Sequence, residues 1–179
     1  IKEGSGAERE TWEDMPFAVL PGKPVRTDAI QRALANAASA TYGSGGRSLP
    51  HAAWADLLLA RPPRRNAPLP RTDDSVEDVI AALESCPDSY VAVQGPPGTG
   101  KTYVGSKTVA RLAAKGWRIG VVAQSHSVVN NFLAAVAKSS GIAIGKEPQA
   151  GARDTHSWDV AKLDKFTGEQ SDGYVIGGT

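Results

Sequence analysis

The octet GPPGTGKT, residues 95 to 102, most constrains what this chain can fold into. It follows the apolar run SYVAVQ and opens into residues 101 to 116, whose apolar spacing is that of a helix. Its glycines allow backbone conformations that a Cβ disfavours, so successive N–H groups can point toward one centre. We therefore expect a buried strand at 89 to 94, an anion-binding loop and then a helix.

The residue types of the octet fit the phosphates of a nucleoside triphosphate. The octet matches the pattern G-x-x-x-x-G-K-[ST], in which the lysine reaches the β- and γ-phosphates and the hydroxyl ligates Mg²⁺. Lys101 and Thr102 are therefore the predicted catalytic residues, with Thr102 the predicted magnesium ligand. With ATP and Mg²⁺ as cofactors, the predicted nucleotide site comprises Gly95, Pro96, Pro97, Gly98, Thr99, Gly100, Lys101, Thr102 and Tyr103.

From residue 73 onward, helix-like and strand-like segments alternate. TDDSVEDVIAALES has Ser75 and Asp78 at the spacing of a capping box, which predicts a helix before the octet. WRIGVVAQ, IAIG and GYVIGG are further strand candidates. SVVNNFLAAVAKSSG is a second amphipathic helix, whose predicted inward-facing residues are Val128, Val129, Phe132, Leu133 and Val136. This alternation predicts an α/β fold with a parallel sheet, helices on its faces and right-handed crossovers.

Residues 1–72 have a different texture. We expect an extended arm at 1–26, followed by short helices in TDAIQRALANAASATYG and HAAWADLLLA. The segment RPPRRNAPLPR holds four prolines and four arginines, which is typical of a semi-rigid linker. The predicted division is a mainly helical N-terminal segment at 1–72 and a nucleotide-binding part at 73–179.

Composition bounds the class of protein. The 20 basic and 19 acidic residues give a net charge of +1, so a nucleic-acid partner has to be argued locally. Cys86 is the single cysteine, which excludes an intrachain disulfide and favours a cytoplasmic location. No run reaches 18 apolar residues, so no membrane span is expected. The chain begins without Met and ends on a strand candidate, and we expect it to be part of a longer protein.

Residues 121–133, VVAQSHSVVNNFL, follow the second predicted strand and resemble motif Ia of superfamily 1 helicases. The resemblance is to the branch that includes the nonsense-mediated-decay RNA helicases, whose pattern is roughly T-A-x-S-N-x-A-V-D-x-L. The first Ala position and the Ser and Val positions are matched by Ala123, Ser125 and Val129, whereas the Asn, Asp and Leu positions hold His126, Asn130 and Phe132. The C-terminal YVIGGT is similar to the strand that lies between motif Ia and the Walker B acid in these helicases, and ends on Thr179.

The resemblance covers about residues 73–179 and implies an incomplete P-loop NTPase lobe of the RecA-like kind, with a three-layer parallel sheet. It implies ATP-dependent helicase activity on single-stranded DNA or RNA, and the texture is most similar to bacterial RecB-type nuclease–helicase fusions. A strand tip followed by a helix N-terminus presents N–H groups and small hydroxyls, which hold phosphates without reading bases. From the residues alone, Ser125 and Ser127 are equally consistent with helix capping. The implied nucleic-acid residues are Ser125, His126, Ser127, Asn130 and Thr179.

Several parts of a helicase motor are not in this sequence. No apolar strand ending in Asp-Glu follows the octet, and no second RecA-like lobe supplies an arginine finger. The Walker B strand and the second lobe are therefore expected partners from the remainder of the parent chain, and these 179 residues are expected to be inactive in isolation. Two alternatives stay open, an AAA+-type protein-remodelling ATPase and a non-catalytic nucleotide-binding module.

Overall fold

A computed structural model of the chain describes residues 27–43, 45, 48–69, 71–139, 141–149 and 154–179. The predicted arm at 1–26 lies outside these residues. The chain divides into two compact units between Pro50 and His51. The predicted boundary between residues 72 and 73 differs from this division, because the structure groups residues 51–72 with the second unit.

In the first unit the described residues form one helix, α1, Asp28–Gly43. Thr27 stands at its start, where its hydroxyl accepts a hydrogen bond from Gln31 Nε2 at 2.9 Å. The helix was predicted from this segment and is confirmed. Its apolar positions Ile30 and Leu34 are 59% and 65% exposed, so the described residues leave that face uncovered.

The second unit holds a small parallel sheet and five helices among its described residues. Strand β3 lies between β1 and β2, and both neighbours pair with it in parallel. This arrangement confirms the predicted α/β class. The elements are α2 Ala53–Leu58, α3 Ser75–Glu84, α4 Lys101–Ala114, β1 Arg118–Val122, α5 His126–Ala137, β2 Ala143–Lys146, α6 Leu163–Glu169 and β3 Tyr174–Gly178. In the part of the chain that the structure describes, no helix combines the length and the apolarity needed to cross a bilayer.

Helices α4 and α5 cover one face of the sheet. Val175 of β3 is fully buried in the core cluster that includes Val129 and Leu133 of α5. Gly177 lies on the same face, because side chains alternate along a strand. A Cβ at Gly177 would stand 2.7 Å from Val129 and 2.8 Å from Leu133. The two β3 positions against which α5 packs are therefore a β-branched residue, Val175, and a glycine, Gly177.

Helix α6 covers the opposite face. Gly145 of β2 pairs with Ile176, the residue between the two β3 positions that face α5. A Cβ at Gly145 would stand 2.6 Å from the ring of Phe166, so the aromatic ring of α6 lies directly on the strand. The same ring meets Tyr174 edge-on, with centroids 6.1 Å apart. The sheet is thus covered on both sides, as predicted.

Helix α3 packs on α4 and is capped differently from the prediction. Asp74 is its N-cap, and its carboxylate accepts hydrogen bonds from two backbone N–H groups of the first turn at 2.9 and 3.3 Å. Ser75 is the first helical residue, and the Asp78 carboxylate instead accepts from the backbone and hydroxyl of Thr72. The predicted Ser75–Asp78 capping box is therefore wrong. A carboxylate one residue earlier reaches the same orphan donors.

The run at residues 89–94, predicted as a buried strand, forms no strand. None of the three described strands pairs with this run, and residues 92–94 are exposed, Val93 at 53%. A strand must share its backbone N–H and C=O groups with a neighbour. Among the described residues this run has no such neighbour, so its apolar composition alone does not make it a strand.

The Pro/Arg-rich segment packs on the second unit and is not a free linker. Arg64 Nε donates to Asp56 Oδ2 of α2 at 2.8 Å, and its Nη2 donates to the Asp88 carbonyl at 2.6 Å. The backbone N–H of Asn66 donates to the Ser85 carbonyl at 2.8 Å. Asp56 is 2% exposed, and the hydrogen bond from Arg64 lowers the pKa of its carboxyl group. These hydrogen bonds hold the Pro/Arg-rich segment against α2 and against the turn that follows α3.

The Asp56–Arg64 pair should make the fold sensitive to acid. The folded pKa of Asp56 lies below its unfolded value of about 3.9, so the stabilisation is fully present above that value and is lost as pH falls through the folded pKa. We expect Asp56→Asn to lower Tm at pH 7 and to show a smaller further drop between pH 7 and pH 3 than the wild type, measured by circular dichroism. The exposed Asp73→Asn serves as the control and should keep the wild-type drop. Equal drops in the wild type and in Asp56→Asn would contradict the role of this pair.

Candidate functional site

The predicted phosphate-binding loop leads directly into helix α4, which begins at Lys101. Gly98 and Gly100 have φ angles of +85° and +77°, in a region that side chains with a Cβ rarely adopt. A Cβ at either position would meet nothing within 4 Å. Glycine is therefore required at these two positions for the backbone conformation, and the space in front of both is open to a ligand.

Gly95 has a different role from the one predicted for it. It is not among the described positions of positive φ. A Cβ there would stand 2.7 Å from Oγ1 of Thr99, whose hydroxyl donates to the Pro96 carbonyl at 2.9 Å. The missing side chain at Gly95 thus lets the loop fold tightly on itself.

The ammonium group of Lys101 closes the loop. Its Nζ donates to the carbonyl oxygens of Gly95 and Pro96 at 2.6 and 2.7 Å. The side chain is exposed, so an anion can take the place of these carbonyls without disturbing the core. A phosphate entering the loop would exchange two neutral acceptors for charged ones, which form stronger hydrogen bonds with an ammonium.

The start of helix α4 supplies further donors. The first N–H groups of a helix have no partner within it, and Gly100 at the N-cap has no side chain to accept from them. Thr102 and Tyr103 lie in this first turn and are exposed, Tyr103 at 64%. The hydroxyl of Thr102 is a hard oxygen ligand of the kind that Mg²⁺ prefers. The residues present therefore fit a phosphate chain and its magnesium ion.

A second group of predicted residues meets where β1 and β3 end. Ser125 is the N-cap of α5, and its hydroxyl accepts from a first-turn N–H at 3.3 Å and lies 3.2 Å from that of Ser127. His126 opens the helix, and its Nε2 is 3.4 Å from the hydroxyl of Thr179, 53 residues away. The parallel pairing of β1 with β3 brings these four residues together. Ser125 caps the helix, and its neighbours remain at the exposed rim.

Asn130, the fifth residue of the predicted nucleic-acid site, makes its described hydrogen bond with a residue outside this group. It lies one turn further along α5, and its Nδ2 is 3.0 Å from Nε2 of His156. The ring of His156 stacks on Trp158, with centroids 4.8 Å apart and planes 6° from parallel. Asn130 is thus part of an inner polar wall held by an aromatic stack.

This wall borders a cavity of about 250 Å³ that the sequence did not predict. Lys146 ends β2 and is 2% exposed, and its Nζ donates to the carbonyl of Glu147 at 3.3 Å. Asp159 Oδ2 accepts from the backbone N–H of His156 at 2.7 Å. The described lining residues are His126, Ser127, Asn130, Lys146, Pro148, Gln149, Asp154, His156 and Asp159.

One feature of the sequence is consistent with a site at this cavity. Lys146 directly follows the apolar run IAIG, and in parallel sheets ligands bind outside the carboxyl ends of the strands. No sequence pattern predicts a role for His156 and Asp159, because they lie in a polar segment without periodicity. They reach the cavity through the pairing of Asp159 with Lys146 at the end of β2.

The predicted site residues thus fall into two groups, the glycine-rich loop at the start of α4 and a polar rim with an inner cavity at the start of α5. The two helices are in close contact, since a Cβ at Gly105 of α4 would stand 3.3 Å from the ring of Phe132 in α5. Comparison of the chain with protein-family models, curated proteins and solved structures found no match.

Proposed function

We propose that this chain is the ATP-binding front part of the first RecA-like lobe of an ATP-dependent superfamily 1 helicase. The observation that carries the proposal is the loop that precedes α4. The loop has two glycines of positive φ, it leads into a helix whose first N–H groups have no side-chain cap, and it holds the Lys101 ammonium on its own carbonyls. This combination suits the β- and γ-phosphates of a nucleoside triphosphate better than a smaller anion, because donors line both the loop and the helix start.

In this proposal each residue of the loop has one task. Lys101 leaves the carbonyls of Gly95 and Pro96 and binds the β- and γ-phosphates, while the N–H groups of the loop and of α4 hold the remaining oxygens. The hydroxyl of Thr102 would hold Mg²⁺, which neutralises developing charge on the phosphates when bound. Neither residue activates water, so the chain by itself binds ATP and does not turn it over.

The rim at the start of α5 is proposed to hold single-stranded nucleic acid, DNA or RNA. Ser127 and the N–H groups of the first turn of α5 would bind backbone phosphates, and His126 with Thr179 would form the adjoining edge. The close packing of Gly105 on Phe132 gives a direct mechanical path from the nucleotide loop through α4 to this rim. A movement of α4 on ATP binding would therefore be transmitted through α5 to the bound nucleic acid.

The unpaired run at residues 91–94 supports the view that the lobe is incomplete. It is mainly apolar, its residues 92–94 are exposed, and it stands immediately before the nucleotide loop. In a three-layer RecA-like lobe this run would pair with strands from the remainder of the parent chain, including the one that carries the Walker B acid. The second lobe, a fused nuclease and a cytoplasmic location belong to the same proposal.

The test is ATP turnover by the longer parent protein with and without single-stranded DNA or RNA. We expect strong stimulation by the single strand, its loss in Lys101→Ala, and negligible turnover or unwinding by the 179-residue chain. Stimulation by an unfolded protein instead of nucleic acid would favour an AAA+-type remodelling ATPase. ATP binding with no turnover under any of these conditions would favour a non-catalytic module.

A further inference from the structure

We infer that the cavity behind the start of α5 receives one unpaired nucleobase that bears an exocyclic amino group, an inference that rests on the proposed binding of a single strand to the adjoining rim. The cavity is lined by Lys146, Asn130, His126, His156 and Asp159. Its lining also includes Ser127, the rim residue at which a backbone phosphate would lie. A base turned out of a single strand can therefore enter it without moving the strand from the rim.

The first observation is a set of buried polar atoms that lack partners. Nδ1 of His126, Oδ1 of Asn130 and Oδ1 of Asp159 are all buried and receive no hydrogen bond from any described residue. Leaving such an atom unpaired costs free energy, and native proteins pair most of them. The three residues that carry these atoms all line the cavity, and a polar ligand with several hydrogen-bonding groups would satisfy them once their side chains turn toward it.

The second observation is the charge of the wall. Lys146 is 98% buried, since only 2% of it is exposed, and its ammonium has the Glu147 carbonyl at 3.3 Å as its described acceptor. The Asp159 carboxylate lies on the same cavity and forms no described ion pair with it. A phosphate in the cavity would be attracted by the lysine and repelled by the carboxylate. A neutral base can satisfy both groups. Its amino group donates to the Asp159 carboxylate, and the ring nitrogen or carbonyl oxygen beside that amino group accepts from the Lys146 ammonium.

The chemistry of the wall selects among the bases. Oδ1 of Asp159 and Oδ1 of Asn130 can accept from an exocyclic amino group, and Lys146 can donate to a ring nitrogen or a carbonyl oxygen. Cytosine, adenine and guanine each offer an amino group next to such an acceptor. Thymine and uracil present a carbonyl oxygen in its place, which would face the carboxylate and repel it. The His156–Trp158 stack holds the inner wall in position.

The test compares binding of dC12 and dT12 oligonucleotides to the whole chain by fluorescence anisotropy, at one fixed salt concentration. Both oligomers carry the same number of phosphates and single-ring bases, so a difference in affinity between them reports recognition of the base edge. We expect the wild type to bind dC12 about fivefold or more tighter than dT12. Asp159→Asn keeps the shape of the side chain. Because the oxygen that accepts from the His156 N–H is kept, the new amide NH₂ group takes the position of Oδ1 and places a donor there. This variant is expected to abolish or reverse the preference for dC12.

Asp164→Asn is the matched control, since it removes the same charge from an exposed position on α6. It should keep the wild-type ratio of affinities. Lys146→Met is a second variant that retains the buried stem. It should weaken dC12 binding without strengthening dT12 binding, and it decides the question should Asp159→Asn not fold.

The outcomes separate this inference from the proposed function. Equal binding of dC12 and dT12 by the wild type, or an unchanged ratio in a folded Asp159→Asn, overturns the base pocket and leaves the nucleic-acid rim standing. Wild-type protein that binds MgATP and neither oligomer overturns the rim and the pocket together. Free cytidine monophosphate that binds as tightly as dC12 also overturns the inference, because the cavity would then serve mononucleotides and not a strand.

Discussion

Replacing Lys101 by alanine is expected to weaken MgATP binding by about tenfold to a hundredfold while leaving the fold intact. A hydrogen bond to a charged group contributes about 1.5–3 kcal/mol, and about 1.4 kcal/mol corresponds to a factor of ten in affinity. Lys101 is exposed, and its described contacts are the loop carbonyls of Gly95 and Pro96. Its removal therefore leaves no buried group unpaired, and Tm should change little. Isothermal titration calorimetry with MgATP measures the affinity.

Lys107→Ala is the matched control for this change. It lies on the same helix and removes the same charge, but it stands beyond the first turn of α4 and outside the octet. We expect its affinity for MgATP to stay within about twofold of the wild type, because a solvated charge at that distance is largely screened. Equal losses in the two variants would mean that general positive charge attracts the nucleotide, and the loop would then lose its assigned role.

Gly173→Ala is expected to destabilise the second unit by about 3 kcal/mol, at the upper end of what overpacking usually costs. Gly173 stands just before β3, against the turn that joins α4 to β1. A Cβ there would overlap the carbonyl oxygen of Ala113 and stand 2.8 Å from that of Trp117. Both neighbours are backbone atoms, so no side chain can rotate away and β3 itself must move. Urea denaturation measures the loss.

Gly120→Ala is the control, because it makes the same substitution within the neighbouring strand β1. A Cβ at Gly120 would meet nothing within 4 Å. Its stability should equal or slightly exceed that of the wild type, since alanine restricts the unfolded chain. A loss in Gly173→Ala no larger than in Gly120→Ala would show that the contact between β3 and the α4–β1 turn is looser than these distances indicate.

Sequence patterns located the elements that depend on local periodicity. The helix after the octet begins at Lys101, the predicted strands WRIGVVAQ and GYVIGG contain β1 and β3, and β2 overlaps IAIG but extends one residue further, to Lys146. Amphipathic spacing predicts such elements because each buries one face against a neighbour. The inward positions of α5 were nearly all correct, with Val129, Leu133 and Val136 fully buried. Val128, predicted to face inward, is 54% exposed.

The errors lie where an element depends on a partner distant in sequence. The run at residues 89–94 has strand composition but lacks a neighbour among the described residues. The Pro/Arg-rich segment resembled a linker, yet Arg64 finds Asp56 and Asp88 and fixes it to the second unit. The cap of α3 is a local exception, since Asp74 takes the cap position and the nearby Asp78 carboxylate accepts from Thr72.

By itself, the sequence determined the two glycines of positive φ, the lysine and the hydroxyl that follow one another in the octet, because those features are local to a few consecutive residues. It also determined which segments could become helices or strands. Only the tertiary structure decided that Thr179 meets His126 and that Lys146, His156 and Asp159 enclose a cavity. These contacts follow from the order β1-β3-β2, and strand order is set by the burial of whole faces, which no short stretch of sequence encodes.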